Sequence, residues 1–249
     1  MSLNGEPCWI QLTTDDVDMA ISFYGDLFGW SAGEPSEEHQ GYRMFFRGDQ
    51  PVAGLVPTPD GISPSWSVFL ATTDLAATLE RATAAGGRVL IETWPVGDLG
   101  SFAELVDPAG AAIGAWQADT FAGFAVRNQD NAPAWFETLS TRYDETVAFY
   151  RDAFGWDTHI MSDTPQFRYT TLGRDQNARA GIMDATALLG DQPSRWQVYL
   201  QVADCDETVA RAVSVGGELV RAAEDTPYGR MATLTDPGGV QFCVMRANW

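Results

Sequence analysis

The feature that most constrains this chain is that it is written twice. FYGDLFGW at 23–30 returns as FYRDAFGW at 149–156, AAGGRVL at 84–90 as SVGGELV at 214–220, and DPAG at 107–110 as DPGG at 236–239. Three matches in one order, at nearly one offset, mean two homologous halves of about 120 residues, far longer than the unit of a stacked solenoid. The halves are expected at 1–118 and 133–249, with a connection at 119–132 in the region of RNQDNAP.

Each half in turn runs strand, helix and several strands, then does so again. Trp9 to Thr14 alternates as a strand and ends in Thr-Thr-Asp-Asp, a good helix cap. Val17, Ala20, Ile21, Tyr24, Leu27 and Phe28 follow helical spacing, and Gly29 stops the helix. YRMFFRG and VAGLVP read as short strands. WSVFLATTD opens a second cycle, in which Thr73 or Asp74 caps a helix running into AAGG. The second half repeats this, with helices at 143–154 and 206–215. The spacing therefore predicts an α+β chain of four βαβββ units. One such unit has a single apolar sheet face and cannot stand alone. Paired units are expected to curl into an incomplete mixed-sheet barrel with helices outside and a cleft within.

Composition narrows the partners. The 34 acidic residues outnumber 15 basic ones, a net charge of −19 that repels phosphate backbones, so no nucleic-acid partner is expected. With 45% apolar and 12% aromatic residues, there is ample material for a core. No apolar run is long enough to span a bilayer, and no leader pattern opens the chain, so a cytoplasmic protein with no membrane partner is expected. The opening Met-Ser-Leu is read as an expression remnant and set aside. Three widely spaced cysteines, Cys8, Cys205 and Cys243, do not form a disulfide framework.

FY…FGW, the Asp-initiated helix ending in AAGG, and DPxG before a last strand together resemble the vicinal oxygen chelate superfamily of glyoxalases, bleomycin-resistance proteins and extradiol dioxygenases. The likeness covers nearly the whole chain and is greatest to tandem two-domain glyoxalase-like proteins of actinobacteria. It implies the fold but not one function, because the family includes isomerases, lyases, dioxygenases, thiol transferases and drug binders.

Metal-dependent members of that family carry His or Gln on the first strand, His on the strand opening the second unit and Glu on the last. Their metal ion grips two adjacent substrate oxygens. The matching positions here are Trp9, Ser67 and Gly114 in the first half and Trp135, Gln197 and Cys243 in the second. Neither set suits a divalent ion, so no metal or other cofactor is expected. His39 and His159 fall off the ligand strands. Glu137, two residues along from Trp135 and on the same strand face, leaves a makeshift Glu137–Gln197–Cys243 site open.

Alternation then assigns the inward residues. Trp9, Gln11, Phe69 and Trp116 are expected to line the first cup, and Trp135, Glu137, Leu139, Gln197, Tyr199, Cys243 and Met245 the second. Trp66, Val68 and Leu70 are expected under the second helix. Two readings of these walls stand: a site for a flat, apolar or cationic organic ligand, or barrels simply plugged by Trp9 and Trp135. The second cup, richer in polar groups, is the better candidate site. The leading expectation is a metal-free binder of a small organic molecule, as monomer or homodimer, serving sequestration of or self-resistance to a secondary metabolite. The alternative is an enzyme (a lyase, isomerase or hydroxylase-like tailoring activity) using Glu137 as base or an unusual metal site.

Overall fold

The computed structural model describes residues 4–248; Met1 to Leu3, set aside above, and Trp249 lie outside them. The first half holds β1 (Pro7–Thr14), α1 (Val17–Phe28), β2 (Trp30–Ala32), β3 (Arg43–Arg47) and β4 (Gln50–Pro57). β5 (Ser65–Ala71), α2 (Leu75–Ala84), β6 (Arg88–Val96), β7 (Gly100–Val106) and β8 (Ala112–Ala118) follow. The second half holds β9 (Ala132–Ser140), α3 (Tyr143–Phe154), β10 (Thr158–Thr164), β11 (Phe167–Leu172) and β12 (Ala180–Asp184). It continues with α4 (Thr186–Leu189), β13 (Arg195–Gln201), α5 (Cys205–Ser214), β14 (Glu218–Thr226), β15 (Gly229–Thr235) and β16 (Gln241–Ala247). The four expected βαβββ modules are all present. The short helix α4 is an addition with no counterpart in the first half.

Local chemistry sets the helix ends. Asp16, Asp74 and Asp204 each turn a carboxylate oxygen back to accept from a backbone N–H three residues on, at 2.9, 3.0 and 2.9 Å. Gly29 ends α1 and Gly155 ends α3 in the left-handed region, with φ of 69° and 71°, where a side chain would be strained.

The strands form two open eight-stranded mixed sheets, ordered β2-β3-β4-β1-β5-β8-β7-β6 and β10-β11-β12-β9-β13-β16-β15-β14. In every module the first and last strands run parallel with a helix crossing between them, and the outer strands are antiparallel hairpins. By packing, the chain divides into two compact units. Among the described residues, one comprises 4–8, Ser67–Gly123 and Phe136–Trp196, and so holds the second and third modules. The other comprises Trp9–Trp66, Phe124–Trp135 and 197–248, holding the first and fourth.

The repeated motifs turn out to be the lock inside each unit. In the unit built from the first and fourth modules, the fully buried Tyr24 donates its hydroxyl to Asp236 (3.1 Å) and accepts from the Trp66 indole N–H (3.1 Å). The Asp236 carboxylate in turn accepts from the backbone N–H of Val240 at 2.9 Å. In the unit built from the second and third modules, Tyr150 donates to Asp107 (3.3 Å) and accepts from Trp196 (2.8 Å), while Asp107 accepts from the N–H groups of Ala109 and Ala111. The glycine pairs complete the fit. A Cβ on Gly87 would lie 2.6 Å from the Phe149 ring, and one on Gly217 3.0 Å from Phe23. Thus FY of one module seats its phenylalanine on the GG and its tyrosine on the DPxG of the other. Trp66, expected beneath α2, gives its indole N–H to α1 instead, because a buried N–H needs an acceptor and Tyr24 supplies one.

Burial raises the Asp107 carboxyl to about 6, with the surrounding hydrogen bonds pulling the other way. A folded value above the unfolded one means that Asp107 favours folding most when protonated. That contribution is complete below about pH 4 and is lost as pH rises through 6, a swing of at most about 3 kcal/mol. Asp107→Asn cannot titrate, so its stability relative to the parent should improve between pH 4.5 and 7 in parallel urea unfolding curves. A gap between the two proteins that stays constant with pH would contradict this.

Candidate functional site

The first strand of each half meets a tyrosine that sequence reading missed. Trp9, 5% exposed, donates its indole N–H to the Tyr42 hydroxyl at 3.0 Å and packs on Phe124 with ring centroids 5.5 Å apart. Burial holds the Tyr42 hydroxyl up at about 12, against the pull of the Trp9 hydrogen bond. Gln11 pairs across to Gly54 on β4, and the Tyr42 hydroxyl occupies the space that a Cβ on Gly54 would need. The neutral phenol is therefore laid over the sheet as part of its wall. Trp9 is packed by these partners on one side.

Glu137 on β9 repeats this arrangement with an acid. It is buried, pairs in register with Gly181 on β12, and accepts from the Tyr169 hydroxyl at 2.7 Å. Tyr169 lies over Gly181 as Tyr42 lies over Gly54, and its ring stacks on Phe167 at 5.5 Å. The carboxylate is thus oriented by a phenol. Leu139, two residues on, is covered by Ala185 and Leu189 at α4, with Met183 against them. A helix absent from the first half closes over that end of β9.

Tyr199, Cys243 and Met245 form one buried cluster with Ala134, against which Trp135, Met231 and Ala247 pack. The pairing of β13 with β16 sets Tyr199 beside Cys243. Trp135 is only partly buried, unlike Trp9, so its ring is in part open. A polar chain borders the cluster: Gln241 donates to Gln197 (3.2 Å), and Gln197 donates to the Tyr199 hydroxyl (2.8 Å). Cys243 lies 3.4 Å from the Thr233 hydroxyl. It is a buried wall residue with a hydroxyl neighbour.

Phe69 on β5 and Trp116 on β8 belong to the first sheet, beside β7. Phe69 pairs with Gly114, and its ring fills the space where a Gly114 Cβ would stand. Phe102 on β7 meets Phe69 edge-on at 6.2 Å and pairs in register with Trp116. Trp116 satisfies its indole N–H on the Phe121 carbonyl at 2.8 Å. Beside Phe102 on the same strand, and opposite Gly114, stands Glu104, which sequence reading missed because it is on a hairpin strand rather than a ligand strand.

The family's metal does not fit these positions. Gly114 has no donor and its Cβ space is taken by a phenyl ring. Gln197 spends its amide on Tyr199 and Gln241. Trp9 offers only a donor, already committed to Tyr42. Among the described residues no three His, Cys, Asp or Glu side chains come together as metal ligands. His159 sits on edge strand β10, bonded to Asp157 and Arg174, and His39 lies in a turn before β3. Among the described residues no helix is long and apolar enough to cross a membrane.

Comparison with known proteins agrees with this geometry. Residues 8–114 match the Glyoxalase/Bleomycin resistance protein/Dioxygenase superfamily, and residues 136–245 match a glyoxalase-like domain. The chain is 32% identical to CFP32 of Mycobacterium tuberculosis, named as a glyoxylase, over 97% of this chain and 95% of that one. It is 30% identical to the anthracycline biosynthesis protein DnrV of Streptomyces peucetius, over 97% and 93%. Among solved structures, the 2,3-dioxygenase LapB from Pseudomonas sp. KL28 superposes with a TM-score of 0.70 at 10% identity, covering 98% of this chain and 92% of that one. A Mn(II)-bound glyoxalase from Novosphingobium aromaticivorans gives 0.66 at 16%, covering 98% and 83%. With both halves matched and full-length relatives at this identity, the chain belongs to the glyoxalase/bleomycin resistance protein/dioxygenase superfamily.

Proposed function

We propose that this protein binds a small organic molecule of aromatic or cationic character without a metal, for sequestration of or self-resistance to a secondary metabolite. The observation that carries this reading is the replacement of ligand side chains by rings. Of the six positions that match the family's metal ligands, two are the tryptophans Trp9 and Trp135, and a third, Gly114, lies under the Phe69 ring. Such surfaces suit flat ligands, with stacking worth about 0.5–1.5 kcal/mol per aromatic pair beyond area burial. The relatives named for anthracycline biosynthesis support a polycyclic aromatic ligand. The partly open Trp135, backed by Tyr199 and Met245, offers a stacking face with a glutamine pair at its border.

Titration of intrinsic tryptophan emission against a panel of polycyclic aromatics, an anthracycline among them, should show saturable quenching at micromolar concentration. Trp135→Ala should weaken it at least tenfold. Protein purified without chelator should contain no stoichiometric Fe, Mn, Ni or Zn, and should bind equally well after dialysis against EDTA. A panel without a single saturating compound, or one-to-one metal with EDTA-sensitive binding, would sink the reading.

One observation favours the second reading, an enzyme. Glu137 is a buried carboxylate held at 2.7 Å by a phenol, an oriented acid–base pair of the kind that moves protons. In that case mass spectrometry of panel compounds incubated with the protein should reveal a product. Glu137→Gln should then cut turnover about 10²- to 10⁴-fold with binding kept. Unchanged turnover in the variant would remove Glu137 from the chemistry.

A further inference from the structure

The second module, β5 to β8, adds Glu104, Phe102, Ile91 and Trp94 to the Phe69 and Trp116 that sequence reading placed in the first cup. Register aligns two rows across it. In one, Ile91 of β6 pairs with Glu104 of β7, which pairs with Gly114 of β8, which pairs with Phe69 of β5. In the next, Trp94 pairs with Phe102 and Phe102 with Trp116. Cross-strand partners share a face, so one carboxylate stands among four aromatic rings. Gly114 leaves the gap over which the Phe69 ring lies.

Three features of this patch lack a structural purpose. Glu104 has no hydrogen-bond or ion-pair partner among the described residues, although it is largely withdrawn from water. Burial, with nothing to offset it, pushes its carboxyl above the ordinary glutamate value. A carboxylate left so is an incomplete site, because buried charges are normally paired. At the rim, Trp94 is 55% exposed and Ile91 38%, large apolar surface that folding has left uncovered.

The same positions in the fourth module show what an ordinary version looks like. There the register sets Arg221 against Thr233 and Glu224 against Met231, and Thr233 against Cys243. The rim is a salt bridge between Arg221 and Glu224, and the central position is a threonine in contact with the Cys243 thiol. Charge there is at the edge and neutralised. In the second module it is central, unpaired and ringed by π-systems, and the rim is apolar.

We propose that the face of β5–β8 is a second binding site, in which Glu104 pairs with an ammonium group and the Trp94, Phe102 and Phe69 rings take the apolar and cationic remainder of an arylalkylamine-type ligand. An ammonium held by a carboxylate and aromatic faces together is the arrangement in which cation–π attraction is strongest, because water is displaced. The net charge of −19 biases encounter toward cations. The inference deepens the ligand-binding reading and rests on it, but it concerns the first sheet, not the second, which carries Trp135 and Glu137.

The test uses the whole chain and a matched probe pair, 2-phenylethylammonium and the neutral 2-phenylethanol, in ligand-observed NMR titrations. The parent should bind the ammonium saturably and at least tenfold more tightly than the alcohol. Glu104→Gln, isosteric and free of the unpaired charge, should erase that preference while leaving alcohol affinity within about twofold. Trp94→Ala, at an exposed position that cannot disturb the core, should weaken both probes. An ammonium preference that survives Glu104→Gln, or no saturable ammonium binding by the parent, overturns the Glu104 site. The Trp135 titration stands or falls separately, since it reads polycyclic aromatics on another surface.

Discussion

Everything else in the structure hangs on a buried phenol that joins two modules. Tyr24 and Tyr150 each sit between a carboxylate and an indole N–H, all three withdrawn from water. Burying an aspartate is costly, and Asp107 shows that cost in its raised carboxyl value. The cost is offset because the same carboxylate closes the DPxG turn by taking backbone N–H groups that would otherwise lack partners. The tyrosine then reports to one module on whether the turn of the other is formed. A buried polar network of this kind contributes more to specifying one pairing than to net stability.

That lock explains why the fold was legible from so little. The motifs that betray the repeat are the residues that meet: phenylalanine on the GG glycine, tyrosine on the DPxG aspartate, tryptophan on tyrosine. Helix caps were readable because Asp16, Asp74 and Asp204 act within three residues of themselves. The site was less so. Alternation assigned the inward residues, and the structure groups Trp135 with Tyr199, Cys243 and Met245, together with its neighbour Ala134. Tyr42, Tyr169 and Glu104 escaped because their role depends on which residues stand beside or opposite them on a neighbouring strand, far away in sequence. Nothing within a few residues of Glu104 announces that its cross-strand neighbour is a glycine. Likewise α4, one turn long, is held by Leu139 and Leu189 rather than by any helical pattern of its own.

The two halves have diverged by exchanging side chains at fixed register positions. Gln11 beside Gly54 and Tyr42 becomes Glu137 beside Gly181 and Tyr169, an amide replaced by an acid under the same tyrosine lid. Glu104 beside Gly114 becomes Thr233 beside Cys243. The carboxylates Glu104 and Glu137 thus stand at different places in the two halves, one on a hairpin strand and one on a first strand. Glu137 is satisfied by a phenol, and Glu104 has no hydrogen-bond or ion-pair partner among the described residues. This asymmetry argues against a chain with two copies of one site, and for two faces with distinct chemistry.

Loss of the metal positions is also more than a set of point changes. At Gly114 the missing ligand is coupled to Phe69, whose ring now occupies the volume a side chain would need. Restoring a glutamate there would drive it into that ring, with an overpacking cost of about 1–3 kcal/mol before any metal arrived. Gly54 and Gly181, away from the ligand positions, show the same close packing, each lying under a tyrosine. Glycine and aromatic have become a unit: the glycine admits the ring, and the ring excludes any larger residue.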